Sequence, residues 1–244
     1  MGRRVLTGLP SDPPSDWSDL SEWWLQEVRD PAYREEVESL FLEVMEISPG
    51  EVVIDLGCGD GRTLDLVAGL GMRAIGIDVN PDLAARAAGR HPVVIGRLPD
   101  LGFVKDGSIG VAYAVLSLEH VENLEKLFIE VQRTVRPGGT LAVVINHPIY
   151  TSPGSGPVID PTDGEMFWRF GQYLHRGSGF EPAGDQVVEF RHRPLGVLLT
   201  AAARAGWSLE VALEQGVGTG AASRDPILAK HQDIPHLMAL RWRR

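Results

Sequence analysis

Between Val52 and Ile145 the chain alternates between short apolar runs and amphipathic stretches, and no other feature limits its fold more. Val52–Leu56, Ala74–Ile77, Pro92–Ile95, Ile109–Leu116 and Leu141–Ile145 are too short for helices and mostly apolar. They read as strands in a sheet covered on both faces. Asp60–Leu70, closed by Gly71, and Pro81–Ala88 separate the first three and read as helices. Leu124, Leu127, Phe128, Val131 and Val135 recur at i, i+3, i+4, i+7 and i+11, which predicts a helix stopping before Pro137-Gly138-Gly139. Strands and helices in this order form parallel βαβ units with right-handed crossovers, so the expected class is α/β.

The flanks read differently. Residues 1–16 are rich in Pro, Ser and Asp and are expected to form a flexible arm. Asp16 or Ser18 is placed to cap a segment carrying Trp17, Leu20, Trp23, Trp24 and Val28. Pro31 opens a stronger helix with Tyr33, Val37, Leu40, Phe41, Val44 and Met45 at helical spacing, so N-terminal helices occupy 17–47. Residues 147–193 hold no clear strand yet are dense in His, Trp, Tyr, Arg and Gly, and read as an insert. Pro194–Ala205 returns to helix, and Trp207–Leu213 and His236–Trp242 read as strands. The expected organisation is one domain over 17–244.

Composition narrows the function. No run approaches the roughly 18 apolar residues of a membrane span, and the Pro-rich start does not resemble a secretory signal. The single cysteine, Cys58, leaves no intrachain disulfide and no multi-cysteine zinc site. A cytoplasmic protein, monomer or homodimer, is the simplest expectation. The net charge of −10 argues against nucleic acid as a partner, and the basic tail Arg241-Trp242-Arg243-Arg244 reads as a solvated chain end. Arginine greatly outnumbers lysine, which suggests a high-GC bacterial source and, loosely, specialised metabolism.

The turn after the first strand is Gly57-Cys58-Gly59-Asp60-Gly61. Glycines without a Cβ let backbone turn sharply and approach a ligand. Ligands of open parallel sheets lie beyond the carboxyl ends of the strands, where strand order reverses. Asp78, at the end of the second strand, is placed to take both hydroxyls of a ribose. Dinucleotide sites favour Gly-x-Gly-x-x-Gly, but here the third glycine comes one position early and Asp55 precedes the turn. A carboxylate there repels a pyrophosphate and tolerates a sulfonium amino acid with its ammonium group. The charge argument favours S-adenosylmethionine, with S-adenosylhomocysteine as product.

These residues, with Gly76-Ile77-Asp78-Val79-Asn80, Leu116-Ser117-Leu118-Glu119-His120-Val121 and Arg136-Pro137-Gly138-Gly139, resemble the class I S-adenosylmethionine-dependent methyltransferases. The small-molecule branch close to the ubiquinone/menaquinone methyltransferases is the most similar. The resemblance covers about residues 51–145. It implies a Rossmann-like, seven-stranded, mostly parallel sheet with an antiparallel C-terminal strand, helices on both faces, and the insert and N-terminal helices capping the active site. It also implies methionine contacts at Asp55, Gly57 and Gly59, ribose bonding at Asp78, adenine packing at Val79, and a methyl-donor pocket near Leu116 and Ser117. Cys58, Gly61, Asn80, Leu98 and Tyr33 complete the candidate cofactor contacts. Cys58 reads as a small side chain that fits the turn, and Trp17, Trp23, Trp24 and Tyr33 as either a cover over the cofactor or a core seal. One departure stands out. Arg97 holds the place of the family's usual acid near adenine, with Asp100 as its substitute.

An already activated methyl group needs alignment, water exclusion and at times removal of a proton, so no fixed catalytic motif is expected. No metal-ligand spacing is present. His147, just after the fifth strand, is the first candidate base, followed by His120, His175 and His192. Each also has a plain structural reading as a loop-stabilising side chain. Arg191-His192-Arg193 reads as a solvated turn or as recognition of an acidic acceptor. Trp168, Phe170 and Tyr173 read as acceptor walls or as packing. The expected function is methyl transfer to O or N of a small molecule. The alternatives are C-methylation, a nicotinamide-dependent oxidoreductase, and a non-methylating S-adenosylmethionine-binding protein.

Overall fold

The computed structural model describes residues 17–183, 185–224, 229–230 and 232–244. The expected arm at 1–16, including Asp16, lies outside the described residues. A 3-10 turn at Trp17–Asp19 leads into α1 (Ser21–Glu27), whose cap position is Leu20 with no side-chain cap. A π-helical turn, Tyr33–Glu38, then continues into α2 (Ser39–Val44).

The centre of the chain folds as β1 (Val52–Leu56), α3 (Arg62–Gly69), β2 (Arg73–Asp78), α4 (Pro81–Ala88), β3 (Val93–Ile95), β4 (Ile109–Val115), α5 (Leu124–Thr134) and β5 (Val135–Asn146). The Asn80 side chain caps α4 by accepting from the Asp82 and Leu83 N–H groups. The face of α5 that is buried carries Leu124, Leu127, Phe128 and Val131, as the periodicity predicts. The strand β5 begins six residues before Leu141, because Val135 pairs with Ile109 and the Gly138-Gly139 segment is absorbed as a register shift.

Residues 147–193 overturn the expectation of a strandless insert. After a short α6 (Pro148–Thr151) come two hairpins, β6 (Gly156–Ile159) with β7 (Met166–Arg169), and β8 (Gly177–Ala183) with β9 (Gln186–His192). These ribbons stand outside the main sheet: β6 and β7 are largely exposed, and β8 and β9 pack only a few residues, such as Ala183 and Val188, against the N-terminal segment, so neither shows the unbroken apolar run of a core strand. The chain ends with α7 (Leu195–Arg204), β10 (Ser208–Gln215), α8 (Thr219–Arg224) and β11 (Leu237–Arg243).

Seven strands form one sheet in the order β10-β11-β5-β4-β1-β2-β3. Only β11 runs against its neighbours, pairing antiparallel with both β5 and β10. Side chains alternate across it: Ile54, Ala112, Ala114 and Val143 pack toward α5 and α7, while Val53, Val111, Tyr113 and Val144 pack toward α2 and α3. Every residue of β4 is buried, which is why its sequence is apolar without a break. No described helix is long and apolar enough to cross a membrane.

Candidate functional site

The strand order reverses between β1 and β4, and beyond their carboxyl ends lies a cavity of about 300 Å³. Gly57 and Gly59 form part of its wall. Gly57 has φ +100°, and a Cβ there would stand 2.6 Å from the Ser117 Cβ. The Ser117 hydroxyl donates to the Leu56 carbonyl at 2.5 Å, so the ends of β1 and β4 are drawn together and only glycine fits between them. Gly59 has φ +51°, and a Cβ there would meet the Trp24 indole nitrogen at 3.0 Å.

Asp78 stands in the same wall. One carboxylate oxygen accepts from the Gly59 N–H at 2.7 Å and the other from the Asn80 N–H at 2.8 Å. Each oxygen keeps a second lone pair for a ligand. Burial raises its pKa above the ordinary carboxylate value, and the backbone donors oppose that shift. Val79, Leu83, Leu98 and Pro99 supply an apolar section beside it. Leu116, at the end of β4, holds φ +51°, a strained conformation for leucine, and lines the cavity with Ser117.

His120 faces the cavity from the turn after β4. Its Nδ1 lies 2.9 Å from the Glu189 carbonyl, which can only accept, so Nδ1 carries the proton. Neutral His120 therefore keeps its lone pair on Nε2. The ring packs against Trp17 and Phe190, with centroids 4.6 and 5.0 Å away. Burial pushes its pKa down to about 4, with Arg191 and Arg193 adding to the shift. Trp17 and Trp24 line the cavity; Trp23 packs against both.

The other candidate bases sit elsewhere. His147 is buried, its Nδ1 accepts from the Ile149 N–H at 3.1 Å as the cap of α6, and Nε2 donates to Glu214 at 2.9 Å. Both nitrogens are engaged outside the cavity wall, so the residue placed first by position acts as a cap. His147→Ala is expected to cost about 1–2 kcal/mol in urea unfolding. An unchanged midpoint would refute the capping role. His192 is buried too, bonded to the Tyr173 carbonyl at 2.8 Å and to the Thr151 hydroxyl at 3.3 Å, and His175 is exposed. The expected acceptor walls also lie apart from it. Trp168 stacks on Tyr150, the Tyr173 hydroxyl accepts from the Leu195 N–H, and Phe170 is exposed.

Several residues expected to contact the cofactor lie outside the cavity wall. Asp55 is fully buried and absent from the cavity wall; it accepts from the Thr63 hydroxyl and so ties β1 to the first turn of α3. Cys58 packs beneath the turn, where a Cβ on Gly76 would meet its sulfur at 2.6 Å. Gly61 is the cap residue of α3 with φ +87°. Asn80 is buried and donates to the Trp17 carbonyl and the Ser21 hydroxyl, holding the N-terminal segment against the sheet. Tyr33 packs edge-on against Trp24, outside the wall. Alternating contacts of a turn with ligand and with core are not readable from spacing.

Burial lifts the Asp55 pKa to about 7, with the Thr63 hydroxyl opposing and the Asp78 charge adding to it. The folded chain thus keeps a proton that the unfolded chain releases near pH 4. Stability from this group is full below about pH 4 and is lost as pH rises through about 7. Asp55→Asn is expected to flatten the fall in stability between about pH 4 and 7, read from denaturant midpoints. An unaltered pH slope would sink the assignment.

Residues that the motifs did not flag also face the cavity. Leu83 comes from α4, Gly96 follows β3, and Glu122 and Asn123 lie beyond the Leu116–Val121 motif. Arg97 lines it, whereas Asp100 is exposed, outside the wall, and accepts from the Gly102 N–H. Of the arginines at the end of β9, Arg191 reaches this cavity and Arg193 does not. Arg193 instead donates to the Leu118, Val121 and Glu122 carbonyls and fastens the His120 turn.

Residues 54–143 match the model of a methyltransferase domain family. A probable S-adenosylmethionine-dependent methyltransferase of Mycolicibacterium smegmatis is 32% identical over 115 residues, 46% of this chain and 44% of that protein. A demethylmenaquinone methyltransferase of Tropheryma whipplei is 31% identical over 112 residues, 43% of this chain and 46% of that protein. The matched stretches thus span less than half of either relative. The crystal structure of an S-adenosylmethionine-dependent methyltransferase from Mesorhizobium loti superposes with a TM-score of 0.72 at 25% identity, covering 89% of this chain and all of that one.

Proposed function

Since the chain carries a class I S-adenosylmethionine-dependent methyltransferase domain, we propose that it transfers a methyl group from S-adenosylmethionine to an O or N nucleophile of a small molecule. The observation that carries this reading is the placement of Gly57, Gly59, Asp78 and His120 around one cavity at the strand switch point. The glycine cradle, which a Cβ would fill, fits close backbone approach by the cofactor.

When bound, the cofactor supplies a methyl group made electrophilic by a positively charged sulfur. Asp78 would accept hydrogen bonds from ribose hydroxyls, while its bonds to Gly59 and Asn80 fix the carboxylate in place. Val79, Leu83, Leu98 and Pro99 would hold the adenine by apolar contact. Trp17 and Trp24 exclude water from the reacting atoms. His120 Nε2 would take up the proton that the nucleophile gives up. Alignment of nucleophile and methyl supplies the larger share, roughly 7–11 kcal/mol in well-oriented systems.

Calorimetry with S-adenosylhomocysteine and with NAD tests this. One molecule of S-adenosylhomocysteine is expected per chain, with no NAD binding. The reverse pattern would transfer the protein to the oxidoreductases.

A further inference from the structure

Gly57 and Gly59 leave room for a ligand, yet the turn that carries them has few donors to give it. The Gly57 and Cys58 N–H groups both donate to the Ile77 carbonyl, at 2.9 and 3.0 Å, and the Gly61 N–H donates to the Cys58 carbonyl at 2.9 Å. Asp78 holds the Gly59 N–H. Each amide has a single hydrogen, so these four are engaged within the fold. A polar ligand group resting on the glycines needs a donor from elsewhere.

The side chain that meets the turn is Trp24. A Cβ on Gly59 would stand 3.0 Å from its Nε1, and 3.8 and 3.9 Å from the two ring carbons bonded to that nitrogen. The N–H edge of the indole therefore faces the glycine. Three neighbouring rings hold it there: Tyr33 and Trp17 edge-on, with centroids 6.1 and 6.4 Å away, and Trp23 tilted at 6.4 Å. Trp168 and Trp207 each donate their indole N–H to a carbonyl, of Ile149 and of Phe128. Trp24 lines the cavity instead, and among the described residues nothing accepts from its Nε1.

We propose that Trp24 Nε1–H binds the carboxylate at the amino-acid end of the cofactor, and so makes the site select ligands that carry this carboxylate. The inference rests on the methyl-transfer reading above. An indole N–H donates and never accepts, so its partner must offer a lone pair. The ammonium and the sulfonium are cationic and do not accept. In that reading Asp78 serves the ribose hydroxyls, and Val79 and Leu98 the adenine, which leaves the carboxylate. Asp78 and Trp24 also meet the same residue, Gly59, one at its N–H and the other at its Cα. The ribose acceptor and the donor are thus neighbours across one glycine. The two arginines of the wall come from other elements, Arg97 after β3 beside Leu98, and Arg191 on β9.

The test is calorimetry with S-adenosylhomocysteine and with its decarboxylated analogue, the aminopropylthio-adenosine that keeps the ammonium and lacks only the carboxylate. Trp24→Phe removes the N–H and keeps a ring against Tyr33. Benzothienylalanine at position 24 keeps the two-ring shape and puts sulfur in place of the N–H, so it decides if the smaller ring unseats the segment; thermal melting checks both proteins. Either change is expected to weaken S-adenosylhomocysteine at least about tenfold, as for loss of a hydrogen bond to a charged group, and the analogue by less than about twofold. Unchanged S-adenosylhomocysteine affinity in the benzothienylalanine protein would assign the carboxylate to an arginine and overturn the proposal. Equal losses for the two ligands would show that the ring only seals the cavity, and overturn it as well. Failure of the wild-type protein to bind S-adenosylhomocysteine at all overturns the methyl-transfer reading instead.

Discussion

Asp78→Ala is expected to weaken S-adenosylhomocysteine binding on the order of 100-fold, about 2–4 kcal/mol, since hydrogen bonds to a charged group are worth about 1.5–3 kcal/mol each. Two effects combine. The substitution removes the ribose acceptor, and it releases the Gly59 and Asn80 N–H groups that the carboxylate now holds at 2.7 and 2.8 Å. The glycine turn therefore loosens as the ligand contact is lost. Asp78→Asn separates the two, because its amide retains one acceptor oxygen in the same place. Calorimetry should rank the proteins wild type, Asn, then Ala. Equal affinity in wild type and Ala would remove Asp78 from the site.

The second large effect belongs to His120. His120→Gln should lower kcat by roughly 10²–10⁴ while S-adenosylhomocysteine affinity stays within about threefold, the range for loss of a general base. Glutamine can still donate to the Glu189 carbonyl, so the turn survives and the basic nitrogen alone is lost. The pH profile gives an independent reading. Burial holds the His120 pKa near 4, so the imidazole is neutral and able to accept a proton throughout pH 5–8. Wild-type kcat/KM should fall on the acid side only below about pH 5. An acid limb centred near 6.5, the value of an unperturbed imidazole, would exclude His120 as the base.

Most of the sheet was legible from particular residues. Val52–Leu56 and Pro81–Ala88 begin and end where the apolar run and the helical stretch of the sequence place them. The buried face of α5 is the one its periodicity marks. The insert was not legible, since β6 and β7 are largely exposed, and β8 and β9 pair only with each other and pack on the N-terminal segment and the His120 turn, away from the main sheet. The site divided in a similar way. Asp78 and Gly59 line the cavity because the switch point fixes where the ends of β1 and β2 must lie. Asp55 and Asn80 match the same motifs yet turn into the core, because one residue of turn reverses the direction of a side chain.

The sequence by itself determined the parallel sheet, the glycine turn and the acid at its edge, because these depend on periodicity and on local backbone chemistry. Tertiary structure decided which histidine faces the cavity. His147 and His120 occupy like positions after adjacent strands, and the difference lies in partners distant along the chain. Glu214 and the start of α6 take both nitrogens of His147, whereas the Glu189 carbonyl takes one nitrogen of His120. Hydrogen-bond partners brought from 67 and 69 residues away leave no trace in local spacing, so only the fold could tell a histidine that faces the cavity from one that caps a helix.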